Sequence, residues 1–385
     1  MAEVAVLGAG FGGLTAAYEL RRLLSAAGRR VDEVTLVSRR PVAVYRPALP
    51  WVAFGWRRPS DITIDLERAC RRRGVRFALA EVVLVDLDRR EVVLDSGTVS
   101  YDQLVLALGG EPRDDVPGLA SRSWSVIWPE EAVRLREAVR RFKGGPVVIG
   151  LVPGVPWPCP AYELLHFFLQ HVRERGLTRR TRTCFVTGEQ AYMACAGRQV
   201  SRTRTRWARA RGAVIRAGVR VAAVEDGAVI LEGGERLESE LTCLLPSLRA
   251  PAAIRSCRGL PRDDDGFVRV GPDMCVQEGP GAGHVWVVGD LVSRPGFKNG
   301  RMAEGQARVV AWNVAHRVGA VHSRTRAYKS TYVCISAEGT GRAVALYTRP
   351  APGEGDPRPF RLTVAGRVPY AVKIGLEKTW LVRHR

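Results

Sequence analysis

A cysteine flanked by prolines stands at the start of a helical stretch in the segment VPWPCPAYELLHFF, residues 155–168. The apolar residues after Cys159 recur with helical spacing, and Pro160 suits the first position of a helix. A thiol at a helix N-terminus has a lowered pKa and is more often a thiolate. Glu163 lies one turn further along and is the candidate proton acceptor. We interpret Cys159 as a reactive thiol. The alternatives are a buried structural cysteine and, for Glu163, an acid that only satisfies the helix dipole.

The other cysteines show no CxxC pair and no spacing of a zinc site, so no metal site is expected. They are Cys70, Cys184, Cys195, Cys243, Cys257, Cys275 and Cys334. The N-terminal residues MAEVAVLGAG lack a charged region before their apolar run, which predicts a strand and not a signal peptide. Without an export signal, most of the thiols are expected to be reduced and buried. A working pair must therefore be assembled by the fold.

A glycine motif follows the first apolar run. Gly8, Gly10 and Gly13 fit GxGxxG between a predicted strand and a predicted helix. The first glycine permits the turn, the second lets a pyrophosphate approach the backbone, and the third lets the helix pack on the strand. A second strand ends at Ser38, where an acid usually binds a ribose. A serine can still form a hydrogen bond with a hydroxyl group, so the motif predicts a dinucleotide site.

A second flavin-type motif lies near the other end of the chain, in GHVWVVGDLVSRPGFKNGRMAEG. Its pattern is strand, Gly289-Asp290, loop and long helix. Asp290 is expected to bind a ribityl hydroxyl; the alternative is a capping or turn acid. The helix N-terminus would stabilise negative charge on a reduced flavin. With YDQLVLALGG, which is typical of the return strand of FAD domains, the two motifs predict FAD. The expected FAD-binding residues are Gly8, Gly10, Gly13, Ser38, Arg39, Val83, Gly109, Asp290, Lys298 and Gly300.

Between the two motifs the chain repeats the same α/β plan. WPEEAVRLREAVRRF has helical spacing and GPVVIGLV reads as a strand. The loop that follows, residues 150–155, does not fit GxGxxG, and its proline has no N–H to offer a phosphate. The predicted fold is α/β, with two Rossmann-like domains of the glutathione-reductase type, the second inserted in the first. The predicted ranges are 1–110 and 251–325 for the FAD domain, 111–250 for the second domain, and 326–385 for the C-terminal region.

The chain is strongly basic, with 59 Lys and Arg against 39 Asp and Glu and a net charge of +20. Such a charge favours anionic partners. The stretch RQVSRTRTRWARARG, residues 198–212, suggests nucleic-acid binding, but single-strand recognition usually needs several stacking aromatics and this stretch has one. A solvated helix face is the alternative. No run reaches the roughly 18 apolar residues that a transmembrane helix needs.

Four segments resemble sulfide:quinone oxidoreductases. They are VTLVSRRPVAVYRPALPWVAFGWRRPSDITIDL, CPAYELLHFF, STYVCISAEGTGRAVALY and PYAVKIGLEKTWLVRHR. The resemblance runs from residue 4 to the end and is weakest around residues 190–280. It implies FAD, sulfide as electron donor and quinone as acceptor. It also implies peripheral attachment to the cell membrane, expected on the cytoplasmic side, and leaves a homo-oligomer open.

The resemblance also implies roles for individual residues. Cys159 and Cys334 would form the redox pair, with Cys334 nearer the flavin and Cys159 carrying sulfur. Lys298 would place a cation near the reduced flavin; the alternative is an exposed loop lysine. Lys373 matches a position beside the quinone. The expected quinone-binding residues are Lys373, Tyr370 and Leu376.

Departures from the family pattern limit these expectations. Ile127 stands where many members have a third cysteine, and residues 44–49 contain no cysteine. FAD is therefore expected to be bound non-covalently. Leu376 replaces a common aromatic, which puts the quinone contact in doubt. Two other functions stay open: an NADH:quinone oxidoreductase of the same fold, and a flavin-free nucleic-acid-binding protein.

The C-terminal stretch has the pattern of a basic amphipathic helix, which predicts an interfacial membrane anchor. The alternative is a helix packed on the core. The apolar face that would contact lipid comprises Tyr370, Ile374, Leu376, Trp380 and Leu381, with positive charge from Lys373, Lys378, Arg383 and Arg385.

Overall fold

The computed structural model describes residues 2–28, 34–294, 297–329, 332–348 and 362–385. The helices in these residues are α1 (Phe11–Ala26), α2 (Leu49–Ala53), α3 (Leu66–Arg73), α4 (Leu119–Arg122), α5 (Pro129–Arg141), α6 (Cys159–Glu174), α7 (Arg198–Arg209), α8 (Ala252–Arg255), α9 (Gly300–Arg317) and α10 (Arg367–His384).

The strands of the first half of the chain are β1 (Val4–Leu7), β2 (Val34–Ser38), β3 (Val42–Val44), β4 (Thr63–Asp65), β5 (Arg76–Leu79), β6 (Val82–Asp86), β7 (Glu91–Leu94), β8 (Gly97–Ser100), β9 (Gln103–Leu106), β10 (Glu111–Pro112), β11 (Gly145–Leu151) and β12 (Thr181–Thr187). Those of the second half are β13 (Ala213–Ala217), β14 (Val221–Glu225), β15 (Ala228–Leu231), β16 (Arg236–Glu238), β17 (Leu241–Leu245), β18 (Leu248–Arg249), β19 (Val285–Val287), β20 (Tyr332–Ala337), β21 (Ala343–Thr348) and β22 (Leu362–Gly366).

One parallel sheet combines strands from the first 106 residues with β19, in the order β19-β9-β1-β2-β5. β1 pairs with β9, with Val4 opposite Gln103, and β9 pairs with β19, with Leu104 opposite Val285. Strands β1, β9 and β19 are buried along their whole length, as expected for a parallel sheet covered on both faces. The helices that follow the two sequence motifs, α1 and α9, pack against each other.

A second parallel sheet, β13-β12-β11-β17, is built only from residues between β9 and β19. The chain enters and leaves this unit through β10 and β18, which pair with Glu111 opposite Arg249. The predicted fold is therefore confirmed: one α/β unit is inserted into another. A third, antiparallel sheet, β20-β21-β22, follows α9 and leads into α10.

The five residues predicted to form the apolar face of α10 are half-buried or buried. Trp380 and Leu381 of α10 are buried, and α10 covers β20, β21 and β22. The valines exposed on α10 are Val368 (71%), Val372 (48%) and Val382 (77%). This packing agrees with the alternative of a helix packed on the core, because amphipathic spacing identifies an apolar face without saying whether protein or lipid covers it. The membrane anchor stays a prediction. No helix in the described ranges is long and apolar enough to cross a membrane.

The arginine-rich stretch forms α7, and part of it also packs inward. Arg204 is buried and its guanidinium bonds both carboxylate oxygens of Glu338, at 2.6 and 2.8 Å. Arg211 lies 4.0 Å from the centre of the Trp207 ring, and Arg342 lies 5.0 Å from it. The one aromatic ring of the stretch is thus already covered by cations, which disfavours its use as a base-stacking platform.

Candidate active site

A cavity of about 490 Å³ lies where the two α/β units and the C-terminal region meet. Its volume is in the range of small-molecule and cofactor sites. The loop after β1, the end of β2, the turn before α9, the start of α6, β20 and α10 all contribute to its wall. The carboxyl ends of parallel strands face this cavity, which is where open α/β sheets bind ligands.

The glycine motif forms the floor of the cavity at the start of α1. Gly8 has φ of +103° and, like Gly10, lines the cavity. Gly13 does not line it; a Cβ there would come within 1.7 Å of the Gly8 carbonyl oxygen, so Gly13 permits the close packing of α1 on β1. The N-terminus of α1 has no side-chain cap. Its free N–H groups suit an anion such as a pyrophosphate.

Most of the other predicted FAD-binding residues also line this cavity. They are Ser38, Arg39, Gly109, Asp290, Lys298 and Gly300. The exception is Val83, which is 54% exposed, while its neighbour Val82 lines the cavity. Successive side chains of a strand point to opposite faces, so the Val83 side chain points away from the cavity and its predicted contact with FAD would be through the backbone. The Ser38 hydroxyl donates to the Arg40 carbonyl oxygen at 3.0 Å and accepts from the Arg40 N–H at 3.2 Å.

The chemistry of the cavity wall fits a flavin dinucleotide. Two buried indole N–H groups on cavity-lining residues, Trp157 and Trp380, have no hydrogen-bond partner among the residues that the structure describes. The second motif also contributes a helix N-terminus: Asn299 caps α9 through the Met302 N–H at 2.9 Å. Free donors, two helix N-termini and the Asp290 carboxylate together match the phosphate, ribityl and ring atoms of FAD.

Lys298 is a buried tether and not an exposed loop lysine. Its ammonium donates to the carbonyl oxygens of Asp290 and, at 3.2 Å, Val292. Its backbone N–H donates to the Pro156 carbonyl oxygen at 2.9 Å. Burial lowers the pKa of Lys298, opposed by Asp290. The residue therefore connects the Asp290 turn to the proline loop that precedes Cys159.

Cys159 and Cys334 form a disulfide, although 175 residues separate them in the sequence. Cys159 is the first residue of α6, and Cys334 lies in β20 opposite Leu346 of β21. Both cysteines line the cavity, and their Cα atoms are 7.5 Å apart. The free cysteines Cys70, Cys243, Cys257 and Cys275 are buried and Cys184 is half-buried. Burial raises the pKa of each, so they are poor nucleophiles.

Glu163 is buried and holds three elements together. Its carboxylate accepts from the Ala337 N–H at 2.8 Å and from the Lys373 ammonium. Lys373 also donates to the Ile335 carbonyl oxygen at 3.1 Å. Burial raises the pKa of Glu163, and the Lys373 charge opposes that shift. The predicted proton acceptor is thus paired with the predicted quinone-site lysine, next to the strand that carries Cys334.

The other predicted quinone-site residues differ in position. Leu376 lines the cavity, whereas Tyr370 does not and packs on Trp51, with ring centres 6.0 Å apart. Sequence reasoning missed Glu304, a buried carboxylate on α9 that lines the cavity, with Arg308 at 3.8 Å and Arg301 at 4.0 Å. Burial raises the pKa of Glu304. Glu304 could have been identified from the sequence as an acidic residue among the apolar positions of the helix that follows Gly289-Asp290.

Comparisons with known proteins agree with this geometry. Residues 2–150 match the family described as pyridine nucleotide-disulphide oxidoreductase. A sulfide-quinone reductase of Aquifex aeolicus is 27% identical over an alignment of 406 positions, covering 99% of this chain and 91% of that protein. The crystal structure of the sulfide:quinone oxidoreductase from Aquifex aeolicus superposes with a TM-score of 0.91 at 26% identity, covering 100% of this chain and 92% of the other.

A second group of relatives covers less of the chain. An NADH dehydrogenase-like protein of Mycobacterium tuberculosis, Rv1812c, is 32% identical over 273 positions, which is 65% of this chain and 64% of that protein. The first 150 residues thus match the pyridine nucleotide-disulphide oxidoreductase family, and the chain is similar over its full length to sulfide:quinone oxidoreductases.

Proposed function

We propose that the protein oxidises sulfide on the Cys159–Cys334 pair and delivers the electrons through FAD to a quinone. The observation that carries this proposal is the position of the pair in the wall of the cavity that fits the cofactor. The full-length similarity to a sulfide-quinone reductase supports it.

The chain supplies the sulfur chemistry. Hydrosulfide attacks one sulfur of the pair, the S–S bond breaks, and one cysteine becomes a persulfide while the other leaves as a thiolate. The start of α6 would stabilise a thiolate on Cys159 and make that sulfur the better leaving group. This step places the persulfide on Cys334, the reverse of the roles that the family resemblance implies. Two electrons must then leave the pair before the S–S bond forms again. The Cα separation of 7.5 Å exceeds the usual disulfide range of roughly 4.4–6.8 Å and leaves room for bridging sulfur.

Bound FAD would take up these two electrons and pass them to the acceptor. We propose that the Gly8–Gly10 loop and Asp290 hold it without a covalent bond. Ile127 lines the same cavity, and a cysteine is absent there and from residues 44–49. Acid precipitation should therefore release all flavin into the supernatant; flavin retained on the precipitate would contradict non-covalent binding.

Quinone reduction consumes two protons, and the cavity has two buried groups that could deliver them. Lys373 is a cation within reach of the Glu163 carboxylate, and Glu304 is a carboxylate whose pKa burial raises. Leu376 lines the same wall. We propose that Lys373 and Glu304 orient and protonate the quinone oxygens, and that Tyr370 acts only by packing on Trp51.

Quinones dissolve in the bilayer, so the enzyme must reach a membrane surface. We propose that the outer face of α10 makes this contact through its exposed valines, with nearby charge from Arg367, Lys378 and Arg383. Each basic residue near anionic lipid contributes about 1 kcal/mol.

An NADH:quinone oxidoreductase is the second candidate, favoured by the NADH dehydrogenase-like relative. The loop after β11 argues against it, because its proline cannot donate to a phosphate. Anaerobic reduction separates the two. Sulfide should bleach the flavin spectrum rapidly and a quinone should restore it, whereas NADH should be much slower. Rapid bleaching by NADH with none by sulfide would overturn the proposal.

A further inference from the structure

Two arginine guanidiniums lie over one indole ring in the wall of the cavity. The Cζ atom of Arg40 lies 4.1 Å from the centre of the Trp128 ring, and that of Arg46 lies 4.2 Å from it. Arg39 is further away, at 5.9 Å. All four residues line the cavity. Cation–π contacts of this kind fix the plane of a guanidinium at modest cost.

The three cations differ in their partners. Arg40 forms an ion pair with Glu130 at 2.9 Å, and Arg39 forms one with Glu81 at 3.7 Å. Arg46 has no hydrogen bond or ion pair to any residue in the described part of the chain, and its side chain is exposed to the cavity. The surrounding elements nevertheless lower the pKa of Arg46 by burial, and the nearby Asp290 carboxylate opposes this shift. Arg46 is thus a cation that is held in place by an aromatic ring and open towards the cavity, with its donors free.

The position of Arg46 indicates which anion would use these donors. The same cavity wall contains the glycine loop at Gly8 and Gly10, whose role is to approach a pyrophosphate. That loop offers only backbone N–H groups. A guanidinium adds a charged, planar pair of donors that matches two phosphate oxygens.

We propose that Arg46, held by Trp128, binds the pyrophosphate of the flavin dinucleotide. This inference rests on the proposed function only in requiring FAD as the cofactor. Trp128 stands immediately before α5, the first long helix of the inserted unit, whereas Arg46 belongs to the FAD domain. The bound pyrophosphate would therefore join the two units through the Arg46–Trp128 contact.

The test uses the purified holoprotein and measures FAD release on serial dilution, from the rise in free-flavin fluorescence. Arg46→Met should weaken FAD binding about 10- to 100-fold, the loss of a hydrogen bond to a charged group. Arg46→Lys should recover part of the affinity. Trp128→Leu should weaken binding by about threefold, since it removes the stacking but not the charge. Arg140→Met is the matched control, because Arg140 is exposed on α5 and pairs with Glu137; its FAD affinity should equal that of wild type.

Thermal unfolding at saturating FAD separates binding from folding. Arg46→Met should then melt close to wild type. FAD affinity of Arg46→Met within twofold of wild type would overturn the inference. The inference would also fail if Arg46→Lys bound FAD as weakly as Arg46→Met and both variants unfolded at a lower temperature than wild type. If wild type itself retains no FAD, the proposed function fails instead.

Discussion

At the scale of single residues, the reactive chemistry depends on where helices and strands begin. Cys159 is the first residue of α6, and Cys334 reaches it from β20. Glu163 lies on the same helix but faces Lys373, so the carboxylate serves the ion pair. A thiolate released at Cys159 would therefore be stabilised by the helix N-terminus, since Glu163 already accepts from Lys373.

Replacing either cysteine should abolish sulfide oxidation. Cys159→Ser and Cys334→Ser should each lose anaerobic flavin bleaching by sulfide by at least about a hundredfold, because no disulfide remains for hydrosulfide to open. Stopped-flow absorbance measures this. Cys184→Ser is the control, since Cys184 is a half-buried free thiol in β12, and it should bleach like wild type. Full activity in either of the first two variants would rule out the two-cysteine mechanism.

The buried pair Glu163–Lys373 should couple strongly in stability. Glu163→Gln leaves the Lys373 ammonium buried without its counter-charge, which is expected to lower the free energy of unfolding by roughly 3 kcal/mol. The double variant Glu163→Gln/Lys373→Met should lose less than the sum of the two single variants. Urea unfolding at saturating FAD measures the unfolding free energies of the wild type, the two single variants and the double variant. Simple additivity would mean that the two groups do not depend on each other.

At the scale of elements, α10 is held by aromatic and polar contacts with the FAD domain. Trp380 packs on Phe11 at 4.9 Å and on Tyr45 at 5.4 Å between ring centres, and the Arg57 guanidinium bonds Glu377 at 2.7 Å. His384, near the C-terminus of α10, is buried and packs on Trp380, with ring centres 4.8 Å apart. These contacts hold the Trp380 side of the helix against the protein core.

Acid should loosen this helix. Burial lowers the pKa of His384 to about 4, against about 6.5 in the unfolded chain. The unfolded state therefore binds the extra proton first, so the contribution of neutral His384 is present above pH 6.5 and is lost as the pH falls towards 4. The full shift corresponds to about 3 kcal/mol. His384→Leu should show a shallower loss of unfolding free energy over this window, measured by urea unfolding.

The pH dependence of the unfolding free energy should not vanish in His384→Leu, because burial also lowers the pKa of His166 to about 3. An unchanged slope in His384→Leu would contradict the assignment.

The exposed valines of α10 should matter for membranes and not for folding. Val368→Glu/Val372→Glu should reduce cosedimentation with vesicles that contain anionic lipid, since each substitution adds negative charge to an apolar, basic surface. Val214→Glu is the control, because Val214 is equally exposed (55%) but lies on β13 of the inserted unit. Equal vesicle binding by all variants would exclude this face as the contact.

At the scale of the whole molecule, one cavity is walled by both α/β units and the C-terminal region. Residues before 110, residues near 128 and 157–160, and the elements β20 and α10 all meet there. A ligand in this cavity would hold the pieces together, so cofactor occupancy and global stability should be linked.

FAD should therefore stabilise the entire chain in a single transition. At a free FAD concentration of one hundred times Kd, the expected gain is about 2.7 kcal/mol. Differential scanning calorimetry of holoprotein with added FAD measures it, with FMN, which lacks the adenylate half, as the control that should stabilise less. Separate melting of the inserted unit, unaffected by FAD, would contradict a shared cavity.

Features with short-range signatures could be predicted from the residues alone. Gly8, Gly10 and Gly13 meet a local steric requirement, and the proline loop before Cys159 shows directly that backbone donors for a second nucleotide are missing. Periodic apolar runs predicted the parallel strands and the insertion of one unit in the other. In these cases, the residues that determine the local structure lie within a few positions of each other in the sequence.

Contacts between distant segments were decided only by tertiary packing. Glu163 meets Lys373 across 210 positions, Arg46 reaches Trp128 from another domain, and α10 turns its apolar face inward. A side chain's partner depends on which elements enclose it, and burial sets the pKa of Glu304 or Lys298 only after folding. Residue types therefore identified the chemistry of this chain, whereas three-dimensional enclosure determined which charges pair and which face solvent.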